Sequence, residues 1–275
     1  NREEEQLRGN FAGVGVKFMI ISDTLTVTNV IKGGPSFRAG VKNGDRIIEI
    51  DGENVAKEAI TNDDVMGKLK GEYNSQVKLK LKRGAEFIET TITRGIIPIY
   101  SVSASFMLEP TTGYIKLERF SETSHDEFVV AADKLLNQGM RHLVFDLRGN
   151  GGGYLDIARS IADEFLSKDK LIVFTKDKDG EKDRLTSTSR GLLKNTEVSI
   201  LIDSESASAS EIVAGAIQDN DRGVIVGRRS FGKGLVQTQL DLSDESAIRL
   251  TTARYYTTTG RSIQKPYGIG IDYEE

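Results

Sequence analysis

Residues 142–166 read HLVFDLRGNGGGYLDIARSIADEFL. HLVFDLRG (142–149) is an apolar, β-rich run of the kind that forms a buried strand. YLDIARSIADEFL (154–166) reads as a helix. Between them, Gly149, Gly151, Gly152 and Gly153 fill four of five positions, more than a turn requires. Such a passage leaves successive backbone N–H groups beside a helix N-terminus, where they suit an anion. In a parallel sheet this is also the edge at which ligands bind. The spacing is not G-x-G-x-x-G: counted from Gly149, the third glycine would fall on Tyr154.

The pattern repeats outward from this segment. GYIKLERF (113–120), KLIVFTK (170–176), EVSILID (197–203) and GVIVG (223–227) read as strands. SHDEFVVAADKLLNQG (124–139) and SASEIVAGAIQDN (208–220) read as helices, the first stopping at Gly139. Strands alternating with helices of this length predict βα units and a mostly parallel sheet. Residues 10–95 differ. LTVTNVI (25–31), DRIIEIDG (45–52) and SQVKLKLKRG (75–84) are short strands, with turns at Gly33-Gly34-Pro35 and Asn43-Gly44. One short amphipathic helix, NDDVMGKLKG (62–71), carries Val65 and Leu69 at i, i+4. The expected organisation is a lead-in over 1–9, a β-rich module over 10–95 and an α/β domain over 96–275.

Composition narrows the chemistry. The 275 residues are 38% hydrophobic and 28% charged, with a net charge of −4. That balance suits a globular protein with a real core and gives no electrostatic case for a nucleic-acid partner. There is no cysteine, so disulfides, thiolate metal sites and cysteine nucleophiles are excluded. The two histidines, His125 and His142, make a multi-histidine metal site improbable, and each reads as an ordinary surface or part-buried residue. No apolar run is long enough to span a membrane. The charged opening NREEEQLRGN and the abrupt GIDYEE read as the interior of a longer protein.

Two further segments carry chemistry. DSESASASEIVAGA (203–216) passes from strand to helix with serines at 204, 206, 208 and 210. Ser208 and Glu211 make a capping box, which is a structural role. A hydroxyl at a helix N-terminus is equally where a nucleophile profits from the dipole. Spacing alone leaves both readings open and does not choose among the serines. GRRSFGKGLVQT (227–238) begins like a P-loop, G-x-x-x-x-G-K, but Gly234 stands where Ser or Thr should hold magnesium. Lys233 is therefore not read as a phosphate ligand. A desolvated lysine can act as base toward a serine, and Ser–Lys dyads are a variant of the triad.

GGPSFRAGVKNGDRIIEIDGENV (33–55), preceded by FAGVGVKF (11–18), resembles the PDZ family. The resemblance implies that Gly13, Val14, Gly15 and Val16 line a site for a peptide's terminal carboxylate, beside a strand edge that pairs with the peptide. The module followed in order by GYIKLERF, DLRGNGGGYLDIA, SASASEIVAGAIQDNDRGVIVGRRSFGKGLVQT and RLTTARYYTTTGRSIQKPYG resembles the carboxyl-terminal processing peptidases. These are serine proteases whose catalytic core has a crotonase-like or Clp-protease-like α/β fold.

By position, that resemblance puts the nucleophile on Ser208, the general base on Lys233 and the lysine-orienting glutamine on Gln237, a turn further along. It puts the oxyanion donors on the N–H groups of Ala209 and of Gly151 or Gly152, with Asp219 as a supporting acidic residue. The glycines beside Lys233 are expected to bring its backbone close to the serine-bearing helix. The resemblance further implies protein or peptide substrates with free, apolar carboxyl termini, and neither metal nor nucleotide cofactor. It implies a signal or anchor segment outside this chain, in the periplasm or cell envelope, and leaves homodimerisation open. A non-catalytic PDZ adaptor is the rival reading. The intact Ser208, Lys233 and Gln237 set argues against it, and the PDZ module argues against an acyl- or lipid-directed hydrolase of the same core fold.

Overall fold

The computed structural model describes residues 2–56, 60–242 and 246–266. Asn1, and Tyr267 and Gly268 at the end of the family motif, lie outside the described residues. The chain divides into two compact units, 1–6 with 10–99 and 7–9 with 100–275.

A short helix, α1 (Arg2–Arg8), opens the chain with Glu3, Glu4 and Glu5 in its first turn and Arg8 in its last, as the helix dipole favours. The first unit then runs β1 (Asn10–Gly13), β2 (Val16–Ile21), β3 (Thr24–Val30), α2 (Pro35–Arg38), β4 (Arg46–Ile50), β5 (Glu53–Asn54), α3 (Asn62–Leu69), β6 (Gln76–Arg83), β7 (Glu86–Thr93) and β8 (Gly95–Pro98). Its main sheet has the order β2-β3-β4-β6-β7, so β2 is an edge. Alternation sets the faces: in β6, Val77, Leu79 and Leu81 are buried while Lys78 is exposed. Those three pack with Leu25, Ile47 and Val65. The unit extends through Ile99 because β1 pairs antiparallel with β8, Asn10 opposite Pro98.

The second unit contains β9 (Val102–Glu109), β10 (Thr112–Leu117), α4 (Ser124–Leu136), β11 (His142–Asp146), α5 (Leu155–Asp163), β12 (Leu171–Asp177), β13 (Lys182–Thr186), β14 (Glu197–Ile202), α6 (Ala209–Asp219), β15 (Val224–Gly227), β16 (Leu235–Asp241) and β17 (Ala247–Tyr256). Its five-stranded sheet, β15-β14-β11-β10-β9, is parallel except at β9. Phe128 of α4, Phe145 of β11 and Phe165 beyond α5 are fully buried, with ring centroids 4.9–6.1 Å apart. α6 is buried on every side from Ala209 to Ile217. Its alanines and Gly215 suit such close packing.

One expectation is corrected. KLIVFTK does not join the parallel sheet. As β12 it belongs to a separate antiparallel sheet, β13-β12-β17-β16. The reason is local: after β12 the chain turns on Asp177, whose Oδ1 accepts the N–H groups of Asp179 and Glu181 at 2.9 and 2.8 Å. A hairpin to β13 follows instead of a helical crossover. The histidines are held structurally. His125 Nε2 meets Glu164 Oε1 at 2.8 Å, and His142 Nε2 meets Ser199 Oγ at 3.0 Å.

Candidate active site and peptide groove

β11 and β14 are parallel neighbours, with Asp146 opposite Leu201, so the loops after them leave the same sheet edge side by side. Burial alone would push the Asp146 carboxyl up. Hydrogen bonds from Arg148 and Tyr114 outweigh burial and hold it below the usual carboxylate range. Asp203 ties the loops together: its Oδ1 accepts from the N–H groups of Gly149 (3.0 Å) and Ser206 (3.1 Å). Asn150, fully buried, ties them again. Its carbonyl accepts from Ala207 N–H (3.1 Å) and from the Ser210 hydroxyl (2.8 Å).

This architecture separates the serines. Ser206 Oγ donates to the Leu147 carbonyl at 2.8 Å and Ser210 Oγ to the Asn150 carbonyl, and both residues are fully buried. Ser208 donates its hydroxyl to no carbonyl among the described residues. It sits at the N-cap of α6 with φ 55° and ψ −111°, a strained conformation for a residue with a side chain. That is the strand-to-helix geometry which presents a serine nucleophile in other α/β enzymes.

Of the expected oxyanion donors, Ala209 N–H begins α6 and has no intrahelical acceptor. Gly151 N–H has no partner among the described residues, whereas Gly152 N–H is already given to Asn150 Oδ1 at 2.9 Å. In this arrangement Gly152 supplies space, not a donor. A Cβ there would stand 2.9 Å from Ser208 Cβ and 3.1 Å from Ala209 N.

Lys233 reaches the serine helix through its backbone. Glu211 Oε2 accepts from Ser208 N–H and from Lys233 N–H, each at 2.8 Å. Glu211 Oε1 accepts from Ser230 Oγ (2.7 Å) and Gly232 N–H (2.6 Å). Sequence shows Glu211 only as a helix cap; its reach to residues 230–233 is long-range and has no local signal. Two expectations about Lys233 change. Its side chain is exposed, not desolvated. Its flanking glycines accommodate residues 263–265: a Cβ at Gly232 would stand 2.7 Å from Lys265 Cβ, and one at Gly234 2.2 Å from Gln264 N.

Gln237 lies on strand β16 opposite Thr251, just past a bulge, and not on a further turn. Neither its side chain nor that of Lys233 has a hydrogen-bond partner among the described residues. Asp219 is at the other end of α6 from Ser208, eleven positions on, or about 16 Å of helical rise. It fastens Thr259 and Arg261 and is not brought to the serine. A cavity of about 940 Å³ opens against Glu211, Ser204 and Gly232, floored by Ile202, Ile225 and Ile263.

In the first unit, a groove of about 570 Å³ runs between the edge strand β2 (Val16, Lys17, Phe18) and the start of α3 (Thr61, Asn62, Asp63, Met66). Gly13 ends β1 and Val16 begins β2. The N–H groups of Val14 and Gly15 between them have no partner among the described residues. Gly15 has φ +78°, a conformation that favours glycine, and its own carbonyl is taken by Ile31 N–H at 3.0 Å.

The PDZ domain profile matches residues 12–93, and the profile described as Peptidase family S41 matches residues 111–275. The chain is 35% identical over 273 residues to a carboxy-terminal-processing protease of Bartonella bacilliformis, covering 97% of this chain and 61% of that protein. It is 33% identical over 268 residues to a probable CtpA-like serine protease of Staphylococcus aureus strain N315, covering 97% of this chain and 53% of that protein. The chain thus spans little more than half the length of these relatives. Among solved structures, the photosystem II D1 C-terminal processing protease is similar with a TM-score of 0.57 and 31% identity, over 96% of this chain and 72% of that one. The family profile spans the glycine loop, the Ser208 elbow and the Lys233 segment together, and the chain belongs to peptidase family S41.

Proposed function

We propose that the protein is a serine endopeptidase that cleaves polypeptides near their carboxyl terminus with a Ser208–Lys233 dyad. The observation that carries this reading is the Ser208 elbow: it is strained, its hydroxyl is free of any carbonyl, and one carboxylate oxygen joins its backbone to that of Lys233. The two N–H groups sharing that oxygen lie within twice 2.8 Å of each other. A lysine's four-carbon stem spans such a gap to a neighbouring hydroxyl.

In the reaction, neutral Lys233 Nζ takes the proton from Ser208 Oγ as the oxygen attacks the scissile carbonyl. The Ala209 and Gly151 N–H groups receive the oxyanion. Lys233 returns the proton to the leaving amine, the C–N bond breaks and an acyl-enzyme remains. Lys233 then deprotonates a water that attacks the ester, and returns that proton to Ser208 Oγ as the acyl C–O bond breaks and the carboxyl product leaves. Gln237 on β16 orients the lysine once substrate covers it. Covering the exposed Lys233 with substrate would also supply the desolvation that a neutral lysine needs.

Val14, Gly15 and the β2 edge are read as the receptor for a free carboxyl-terminal tail, added as an extra strand. The same reading puts the protein in the periplasm or cell envelope. The test is cleavage of a tail-bearing protein by the intact chain and by Ser208→Ala, with products mapped by mass spectrometry. Cleavage near the terminus by the parent alone is expected. Equal proteolysis by Ser208→Ala would remove Ser208 as the nucleophile, and no cleavage by either protein would leave an adaptor as the better reading.

A further inference from the structure

We infer that Glu211 is a positioning residue for the dyad, clamping the lysine-bearing segment to the serine elbow. The inference rests on the Ser208–Lys233 reading. A capping-box glutamate ordinarily satisfies one N–H at the start of its own helix. Glu211 does that for Ser208 and also takes three donors from residues 230–233, which lie 19 to 22 positions downstream. Four hydrogen bonds, two on each oxygen, use the acceptor capacity of a carboxylate in full. The residue is only 7% exposed, so an unmet donor there would be costly.

The remaining hydrogen bonds of this segment show what the clamp adds. Phe231 N–H donates to the Ser206 carbonyl at 3.0 Å. Gly232 and Gly234 are held by Lys265 and Gln264, outside the serine loop. Among the described residues, only Glu211 bonds directly to both dyad residues, and it does so through a single oxygen. Its loss removes the Ser208–Lys233 tether while leaving the strap from 263–265 in place. The lysine segment would then keep its fold and lose its register against Ser208 Oγ.

The two oxygens make different predictions. Glutamine at 211 can keep its carbonyl oxygen toward Ser208 and Lys233 and turn its amide toward Ser230, whose hydroxyl can accept. Gly232 N–H then loses its acceptor, but the tether survives. Alanine loses both sides. Ser230→Ala removes one donor from Oε1 and leaves the tether intact.

The experiment compares kcat, KM, melting temperature and labelling of Ser208 by a fluorophosphonate in the parent and four variants: Glu211→Ala, Glu211→Gln, Ser230→Ala and Ser208→Ala. Misplacing a base by about 1 Å can cost on the order of 100-fold in rate, so Glu211→Ala should lose roughly that in kcat, with KM within about twofold. Labelling of Ser208 should slow in parallel. Glu211→Gln should recover at least about a tenth of parental kcat, and Ser230→Ala should stay within about threefold. The inference is overturned if folded Glu211→Ala keeps parental kcat, which is what a plain cap would give. Should Glu211→Ala fail to fold, Ser230→Ala losing as much as Glu211→Gln overturns it equally. An active Ser208→Ala would instead sink the dyad reading itself, whereas an inactive Ser208→Ala beside a fully active Glu211→Ala sinks only the clamp.

Discussion

A Cβ placed on Gly152 would stand 2.9 Å from the Cβ of Ser208, closer than real side chains approach. It would also press on the Ala207 carbonyl at 2.8 Å, and Gly152 has φ +103°. The glycine loop therefore touches the elbow directly, and relief requires Ser208 to move. Gly152→Ala should lose about 100-fold or more in kcat, since misplacement of a nucleophile is amplified in rate. Gly151→Ala is the control. Nothing lies within 4 Å of its Cβ and it keeps the N–H, so kcat should stay within about fivefold. Steady-state kinetics on both variants decides this. Equal losses would remove the distinction between space and donor.

The serines should divide by what they cost. Ser206→Ala and Ser210→Ala each remove a buried hydrogen bond to a carbonyl, Leu147 or Asn150, that keeps one backbone donor, and should lower unfolding stability by about 1 kcal/mol or more. Activity per folded molecule should fall far less than in Ser208→Ala. Ser208→Ala removes no hydrogen bond to a carbonyl among the described residues and should shift stability by less than about 1 kcal/mol while abolishing cleavage. Urea unfolding paired with active-site titration reads both quantities. A Ser206→Ala enzyme that is stable but inactive would reassign the nucleophile.

Much of this was legible in the sequence, and the losses have a common cause. Strand–helix alternation predicted β10, α4, β11, α5, β14, α6 and β15, because each has its period and stop signals within its own span. β12 shows the limit: its residues read as a strand, but which sheet it joins depends on the Asp177 turn and on β17, more than seventy residues later. At the site, the family resemblance pointed to Ser208, but nothing local told Ser206 and Ser210 apart from it. Their roles depend on carbonyls 59 and 60 residues upstream. Asp219 was a supporting candidate through the family resemblance alone. It ends the serine helix, a full helix length from Ser208, where it holds a turn.

Stability should have a plateau bounded by groups with opposite signs. Burial alone would push the Asp219 carboxyl up, but hydrogen bonds from Thr257, Thr259 and Arg261 hold it below the usual range, and Asp146 is held low likewise. An unfolded aspartate titrates near ~3.9, so these groups stabilise the fold above that value. That contribution is lost as pH falls through the lower folded-state values. The Glu164 hydrogen bond pushes His125 up. Its contribution is complete below about pH 6.5 and is lost as pH rises through the raised folded-state value. Urea midpoints between pH 3 and 9 should peak between about pH 5 and 6.5. Asp219→Asn should flatten the acid limb, and His125→Gln the limb above neutrality. An acid limb unchanged in both Asp219→Asn and Asp146→Asn counts against this assignment.

The groove of the first unit makes a separate kinetic prediction. β2 is a sheet edge, Val14 and Gly15 offer N–H groups with no partner among the described residues, and Met66 of α3 faces the same groove as Val16 and Phe18. A tail bound there contributes binding that is present before and during the chemical step, so its loss should appear in KM with kcat unchanged. Met66→Asp puts a charge where an apolar tail side chain would be buried. For a substrate with a free apolar carboxyl terminus it should raise KM by about tenfold or more. The amidated substrate should already be poor with the parent and should respond little to the substitution. Isothermal titration with a free and an amidated tail peptide separates recruitment from catalysis. Equal binding of the two peptides would remove the carboxylate from the argument, and a Met66→Asp effect confined to kcat would point to control of the active site instead of recruitment.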